Sequence, residues 1–436
     1  MSITNSLTRR TFLKCTVGAV ATPCVFPSRA LGAGEKPPAS ERITMGCIGL
    51  GGEGLGKNVR AFLNQPDAQV LAVCDVDPGR LASGKRVVED HYAAQMRGGT
   101  YKGCDAYSDF RKILERDDID AVMIATPDHW HAVMSVMAIR AGKDVICEKP
   151  TLTVREGRTL ADTVKRYGAV FQMSTEDRAM ACHHRMAELV RNQRIGKLQR
   201  IIVGLPGGPG EKGDPTPRPL PKGFDYDMWL GPAPVAPYCP GRTHWNFRWI
   251  SDYSGGQLTD WGAHLIDTAQ WANDTEHTGP IEVEGTGKRW EGGLYDTYHE
   301  FSLRYKYASG VEMLVNSGGV SLRFEGSDGW VGNNGWLGKV EASSRNILDS
   351  RIGPGDTRLF TCPAGEHRNF LDCVKSRNDP YFPAEIGHRC CTVMHIGNIA
   401  MNLGRKLSWN PGKEQFVNDP GAGRDLSRAM REPWSL

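Results

Sequence analysis

Five short, nearly unbroken apolar runs recur in the first part of the chain: R-I-T-M-G-C-I-G-L from Arg42, A-Q-V-L-A-V-C-D-V from Ala68, I-D-A-V-M-I-A-T from Ile119, K-D-V-I-C-E-K-P from Lys143 and A-V-F-Q-M-S from Ala169. None alternates apolar with polar over its length. Short continuous runs of this kind read as strands buried on both faces. The segments between them read as helices; H-A-V-M-S-V-M-A-I-R-A-G (131–142) is expected to be amphipathic and closed by Gly142. Buried strands alternating with helices predict an α/β fold with a parallel sheet covered on both sides.

The pattern changes after about Leu198. Residues 206–240 are rich in Pro and Gly and predict an excursion rather than an element. Three strand-like runs follow: P-I-E-V-E-G-T-G-K-R-W, Y-H-E-F-S-L-R-Y-K-Y and V-E-M-L-V-N. The second alternates, as a half-exposed antiparallel strand does. Residues 385–404 return to helix. The expected organisation is a leader over 1–33, a linker over 34–41, a nucleotide-binding Rossmann domain over 42–175 and a substrate-binding α/β domain over 176–436. The second is built on a large, mainly antiparallel open sheet, and its last helices pack back on the first domain.

The 436 residues are 40% hydrophobic and 24% charged, enough for two cores. The leader's cations, Arg9, Arg10, Lys14 and Arg29, outweigh the formal charge of +3, so the remaining chain is close to neutral. A near-neutral body has no electrostatic footprint for nucleic acid or for an acidic membrane. The 12 cysteines show no Cys-x-x-Cys and no Cys/His ladder, and no metal site is expected. Cys47, Cys74 and Cys147 lie in the buried runs, where Cys acts as a small hydrophobe.

T-R-R-T-F-L-K (8–14) has the paired arginines, then Phe12, Leu13 and Lys14, of a twin-arginine export signal. A short apolar stretch and R-A-L-G-A follow, suited to signal-peptide cleavage. The stretch is too short and too broken by Gly and Pro to span a bilayer. The expected location is the periplasm, reached through the twin-arginine machinery, with no stable membrane insertion.

Gly49-Leu50-Gly51-Gly52-Glu53-Gly54 fits G-x-G-x-x-G directly after the first run, and Asp75 ends the second. The glycines permit a tight turn, the following helix offers free N–H groups to a pyrophosphate, and an acid at Asp75 suits a ribose 2′-hydroxyl. That favours NAD, with NADP as the alternative. Thr126, Pro127 and His131 follow the third run, and Glu148 and Lys149 close the fourth. Ligands in such sheets bind off the carboxyl ends of the strands, so all five are candidate cofactor residues.

With T-P-D-H-W-H and A-G-K-D-V-I-C-E-K-P beside the glycine loop, the chain resembles the Gfo/Idh/MocA oxidoreductases over nearly its whole length after the leader. The resemblance implies oxidation or reduction of a hydroxyl on sugars, glycosides or cyclitols. It also implies dimers or tetramers built through the open sheet. Within G-G-Q-L-T-D-W-G-A-H-L-I-D it implies Asp260 and His264 as catalytic partners of Lys149. An i, i+4 spacing would let Asp260 orient His264, with Asp267 serving the helix. Arg178, His183, Arg242, His244, Trp245 and Arg248 are the candidate substrate residues, since aromatic faces stack on pyranose rings and the others hydrogen-bond hydroxyls. An exported NAD enzyme implies a cofactor loaded inside and carried out bound. Each hydride taken must then be returned, either to a second substrate or to the same molecule after elimination or epimerisation. A non-catalytic sugar or nucleotide sensor on this fold is the other reading.

Overall fold

In a computed structural model the described residues are 37–96 and 100–436; the leader lies outside them. The described residues 37–42 belong to a unit separate from the rest, and in them Ala39–Glu41 makes one 3-10 turn. The rest, Ile43–Leu436, is a second unit.

That unit holds two sheets. The first has six strands: β1 Ile43–Ile48, β2 Ala68–Cys74, β3 Asp105–Tyr107, β4 Ala121–Ile124, β5 Asp144–Glu148 and β6 Phe171–Ser174. All pairings are parallel and the order is 3-2-1-4-5-6, the doubly wound dinucleotide-binding arrangement. Five of these strands are the five apolar runs. The sixth, β3, is a short edge strand whose residues are half-buried or exposed, so no apolar run marks it. Met45, Cys47, Val70 and Met123 enter one core while Ile48, Ala72, Val122 and Ile124 enter the other, which is why the runs do not alternate.

Helices α1 (Pro78–Ala93), α2 (Asp128–Arg140) and α3 (Val154–Tyr167) connect these strands. α2 is not amphipathic as expected. Nearly every residue in it is buried, because it packs on β5 and α3 while Trp229, Tyr253 and Trp434 cover its start. Gly142 ends it with φ +80°, a conformation that favours glycine.

After α4 (Ala181–Arg191) the chain enters a nine-stranded sheet: β7 Leu198–Leu205, β8 Glu282–Lys288, β9 Glu300–Lys306, β10 Glu312–Ser317, β11 Ser321–Gly326, β12 Trp330–Asn334, β13 Glu341–Ala342, β14 Leu407–Asn410 and β15 Gln415–Phe416. Only β7 and β10 pair in parallel. β7 lies near the centre of the sheet, although no expected strand covered it. On β9 buried and exposed residues alternate, and the outward Arg304 pairs with Glu284 and Glu312. Helices α5 (Tyr226–Leu230), α6 (Gln257–Asp260), α7 (Gly262–Ala272), α8 (Glu366–Ser376) and α9 (Ala384–Leu403) complete the unit. α9 packs on β8, α7 and α3.

The loop after β6 is locked to α7 by a buried ion network. Arg178 donates to both oxygens of Asp267 at 2.8 Å and lies 2.7 Å from Glu276, with its guanidinium over Trp271 and Phe382. This corrects the expectation for Arg178: its charge is spent inside the fold and is not offered to a substrate. Asp267 serves this pair, not the helix alone. Removing one partner of a buried pair leaves the other charge uncompensated. Arg178→Ala is therefore expected to destabilise the chain by about 3–5 kcal/mol in denaturant unfolding; a loss within the range of a surface substitution would contradict the assignment.

Candidate active site

The glycine loop is shaped by two close approaches. Gly49 has φ +87°, and a Cβ there would lie 2.4 Å from the Ala125 carbonyl oxygen. A Cβ on Gly54 would lie 1.9 Å from the Gly49 carbonyl oxygen. Any side chain at either position would force the turn open. The following helix begins with a wide π turn, Gly54–Val59, before Arg60–Leu63; such turns recur at functional sites. Asp75 braces the loop: it accepts from Leu50 N and Asp77 N, each at 2.8 Å. Burial pushes its carboxyl pKa up, and these two N–H groups oppose the rise.

A cleft with an interior volume of about 250 Å³ opens above the sheet's carboxyl edge. Gly49, Gly51, Gly52, Asp75, Thr126, Pro127, His131, Glu148 and Lys149 line it from the first sheet, and His244, Trp245, Arg248 and Asp260 from the second half. Leu50 and Gly54 shape the loop from behind. His131 is a brace as well as a wall, because its ring nitrogens lie 2.7 Å from the Thr126 and Pro150 carbonyl oxygens. Arg242 is outside the cleft, bonded to the Tyr253 hydroxyl at 3.2 Å. His183 is fully buried between the Thr268 hydroxyl (3.0 Å) and the Trp336 carbonyl (2.9 Å), which corrects its expected substrate role.

Lys149 precedes a cis bond to Pro150 at the end of β5. Its Nζ donates to Asp260 Oδ1 at 2.5 Å and to the Asp260 carbonyl at 3.0 Å. Arg248 Nε donates to the other Asp260 oxygen at 3.1 Å, with its guanidinium 3.7 Å from the centre of the Trp245 ring. Trp245 is 66% exposed, so an aromatic face stands at the cleft mouth. Burial alone would lower the Lys149 pKa, but the Asp260 and Glu148 carboxylates outweigh it and hold the ammonium above its ordinary value. Burial would likewise raise Asp260, and Lys149 and Arg248 hold it well below the usual carboxylate range.

His264 is not oriented by Asp260. The helix breaks between them: α6 ends at Asp260, Trp261 intervenes, and α7 starts at Gly262. Instead His264 Nδ1 lies 2.7 Å from Asp177 Oδ2. Asp177 also accepts from Trp336 Nε1 at 2.6 Å and is fully buried. Burial pushes Asp177 up, yet the His264 charge and bond bring it down to about 2. Burial pushes His264 down, yet Asp177 raises it above 6.5. Sequence reasoning chose the neighbouring Arg178; the signal for Asp177 was its place just past the end of β6, on the same carboxyl edge as Asp75 and Lys149.

A third set ties the nucleotide helix to both halves. Lys57 bridges Glu176 and Glu366, each at 3.0 Å, and Asn58 donates to Glu148 Oε1 at 2.9 Å. Burial, together with Glu366, pushes Glu148 up to about 7, opposed by Lys57 and Lys149. Glu176, Asp177 and His264 place possible ligand atoms within 4.8 Å of one another. Glu176 also pairs with Lys57, and Asp177 accepts from Trp336.

The cleft fits a dinucleotide. Gly49 and Gly54 of its glycine loop admit no Cβ, a helix N-terminus faces it, and the Thr126 hydroxyl and Asp128 Oδ2 are buried on it without a protein partner. Gly49, Gly51 and Gly52 would hold the pyrophosphate, and Asp75 the ribose.

The His264–Asp177 pair sets a pH signature. The raised His264 pKa contributes stability that is complete below 6.5 and fades as pH rises through the folded value; the lowered Asp177 contributes above 3.8 and fades as pH falls towards 2. In Asp177→Asn, burial and Lys149 both lower His264, and of the groups that raise it only the Glu176 carboxylate remains. NMR titration is expected to place the His264 pKa above 6.5 in the parent chain and below it in the variant; an unchanged titration would contradict the pairing.

Known proteins share this architecture. Two oxidoreductase-family models match: the NAD-binding Rossmann fold over residues 43–175 and the C-terminal alpha/beta domain over 210–436. A glycosyl hydrolase family 109 protein of Shewanella sp. (strain ANA-3) is 35% identical over 172 residues, 36% of this chain and 37% of that protein. The chain thus spans little more than a third of the length of this curated relative. Among solved structures, levoglucosan dehydrogenase in complex with NADH and L-sorbose superposes with a TM-score of 0.62 at 18% identity, over 84% of this chain and 99% of that one. An aldose-aldose oxidoreductase from Caulobacter crescentus gives 0.61 at 18% identity over the same shares. These two likenesses carry the fold. With a family model covering more than half of its length and an NAD-binding Rossmann fold ahead of it, the chain belongs to the Gfo/Idh/MocA oxidoreductase family.

Proposed function

We propose that the protein transfers a hydride between NAD and a hydroxyl-bearing carbon of a sugar, glycoside or cyclitol. The observation that carries this reading is the buried 2.5 Å Lys149–Asp260 bond on the cleft that also holds Gly49 and Asp75, with His264–Asp177 beside it. Bound NAD supplies the hydride acceptor. Lys149, fixed by Asp260, donates a hydrogen bond to the reacting oxygen. Neutral His264 takes the hydroxyl proton, and Asp177 stabilises the imidazolium that results. In the reverse direction the protonated His264 returns it. Arg248 holds Asp260 in place and presents Trp245 to a ring face.

A second reading is supported by the family 109 relative and by the leader. We propose export by the twin-arginine route to the periplasm, with the cofactor already bound. A cofactor that cannot leave has to give back each hydride. Transient oxidation makes the neighbouring C–H acidic; a base removes that proton, then either the leaving group departs and water adds across the resulting double bond, or the carbon is reprotonated on its other face, and re-reduction returns the hydride. Solvent deuterium separates the two, since only the transient route places deuterium next to the oxidised carbon.

Lys149→Ala and His264→Ala are each expected to lower carbohydrate turnover by about 10²–10⁴-fold, the range of general acid–base catalysis. Undiminished turnover in both would sink the assignment.

A further inference from the structure

Rossmann loops build one side of a dinucleotide site. Here the opposite side comes from the end of the excursion and the residues just after it. Phe224, Met228, Trp229, His244 and Phe247 line the same cleft as Asp75, Asp77 and Arg80.

Three sets of contacts sew this segment down. At the ribose end, Asp225 N donates to the Val76 carbonyl at 3.1 Å, one residue past Asp75. At α2, the Trp229 carbonyl accepts from Trp130 Nε1 at 3.1 Å and meets His129 Nε2 at 3.0 Å. From the C-terminal tail, Arg431 donates to the Gly231 and Asp227 carbonyls, each at 2.8 Å, while Trp434 packs on Trp130 at 4.6 Å.

His244 is held with φ +56°, uncommon for a residue with a side chain. Its ring stacks on Phe224 at 5.9 Å, and its Nε2 lies 3.8 Å from Asp77 Oδ2. A backbone held in a sparsely populated region needs surrounding contacts to keep it there, and such positions cluster at ligand clamps. Burial and Arg80 lower the His244 pKa, so the ring is neutral at neutral pH and can hydrogen-bond a hydroxyl.

We infer that Gly223–Phe247 forms the outer wall of the adenosine half of the NAD site, with Phe224 and His244 facing the nucleoside, and that the cofactor cannot exchange while this wall is docked. The inference rests on the NAD site and, for its consequence, on the captive-cofactor reading above; it does not rest on the sugar chemistry. It moves His244 from the substrate to the cofactor. Release then requires the segment to lift from Val76, α2 and Arg431 together, which acts on the off-rate more than the on-rate.

The test uses the full chain loaded with NADH and chased with excess NAD, following reduced-nicotinamide fluorescence. The parent chain is expected to release slowly. Phe224→Ala and His244→Ala should each release about tenfold faster, equivalent to about 1.4 kcal/mol. Arg431→Ala, which touches the wall only from behind, should also speed release, and it guards against a direct packing defect at Phe224. His264→Ala should lose turnover yet release at the parent rate. Release of nucleotide from all three wall variants at the parent rate would overturn the inference, as would free exchange in the parent chain. Slow parent release without sugar turnover would remove the carbohydrate reading and leave the wall standing.

Discussion

The structure turns on one bond, Lys149 Nζ to Asp260 Oδ1. Its two residues come from the two halves of the chain, one from the end of a parallel strand and one from a short helix before α7. Both side chains are largely removed from water, 13% and 15% exposed. Two charges in that setting cost several kcal/mol each to desolvate, and they persist only with good geometry and further partners. Asp260 has those partners: the ammonium, the Arg248 guanidinium, and its own carbonyl on the same lysine. The bond therefore fixes the spacing between the cofactor's cradle and the side chains of the second half.

From that bond the rest of the site follows as a division of labour between two ion pairs. Lys149–Asp260 stays fully ionised, because both partners are pushed deeper into their charged forms. In His264–Asp177 burial lowers the imidazole, and the Asp177 and Glu176 carboxylates outweigh it and raise it above its ordinary value. In the proposed reaction one pair would orient and polarise, and the other would move the proton. The separation lies in the partners: His264 bonds Asp177 in the loop after β6, while Asp260 bonds Lys149 and Arg248.

Much of the fold was legible in the sequence. Five of the six parallel strands are buried on both faces, and such strands write themselves as continuous apolar runs. The glycine loop, Asp75 and Lys149 were legible for the same reason, since each sits at the end of one of those runs. Edge strand β3 has few buried residues and left no mark. β7 was passed over because it directly precedes the Pro/Gly-rich excursion. Asp177 was missed and Arg178 chosen in its place. Side-chain direction at a loop is set by tertiary packing, and here it turned Arg178 inward to Asp267 and Asp177 towards His264. The excursion held the largest surprise: a stretch without periodicity supplies the aromatic side of the nucleotide cleft, which no local pattern encodes.

The leader gives this geometry its consequence. A protein proposed to work outside the cytoplasm keeps only the NAD it carries, and a cleft closed from both halves of the chain suits that condition. The most direct measurement is the absorbance of the purified protein, with its own bound cofactor, on mixing with a panel of glycosides and polyols. The account predicts that at least one carbohydrate brings up the reduced-nicotinamide band without added NAD. A protein that holds its nucleotide and stays spectrally silent across the whole panel would contradict it.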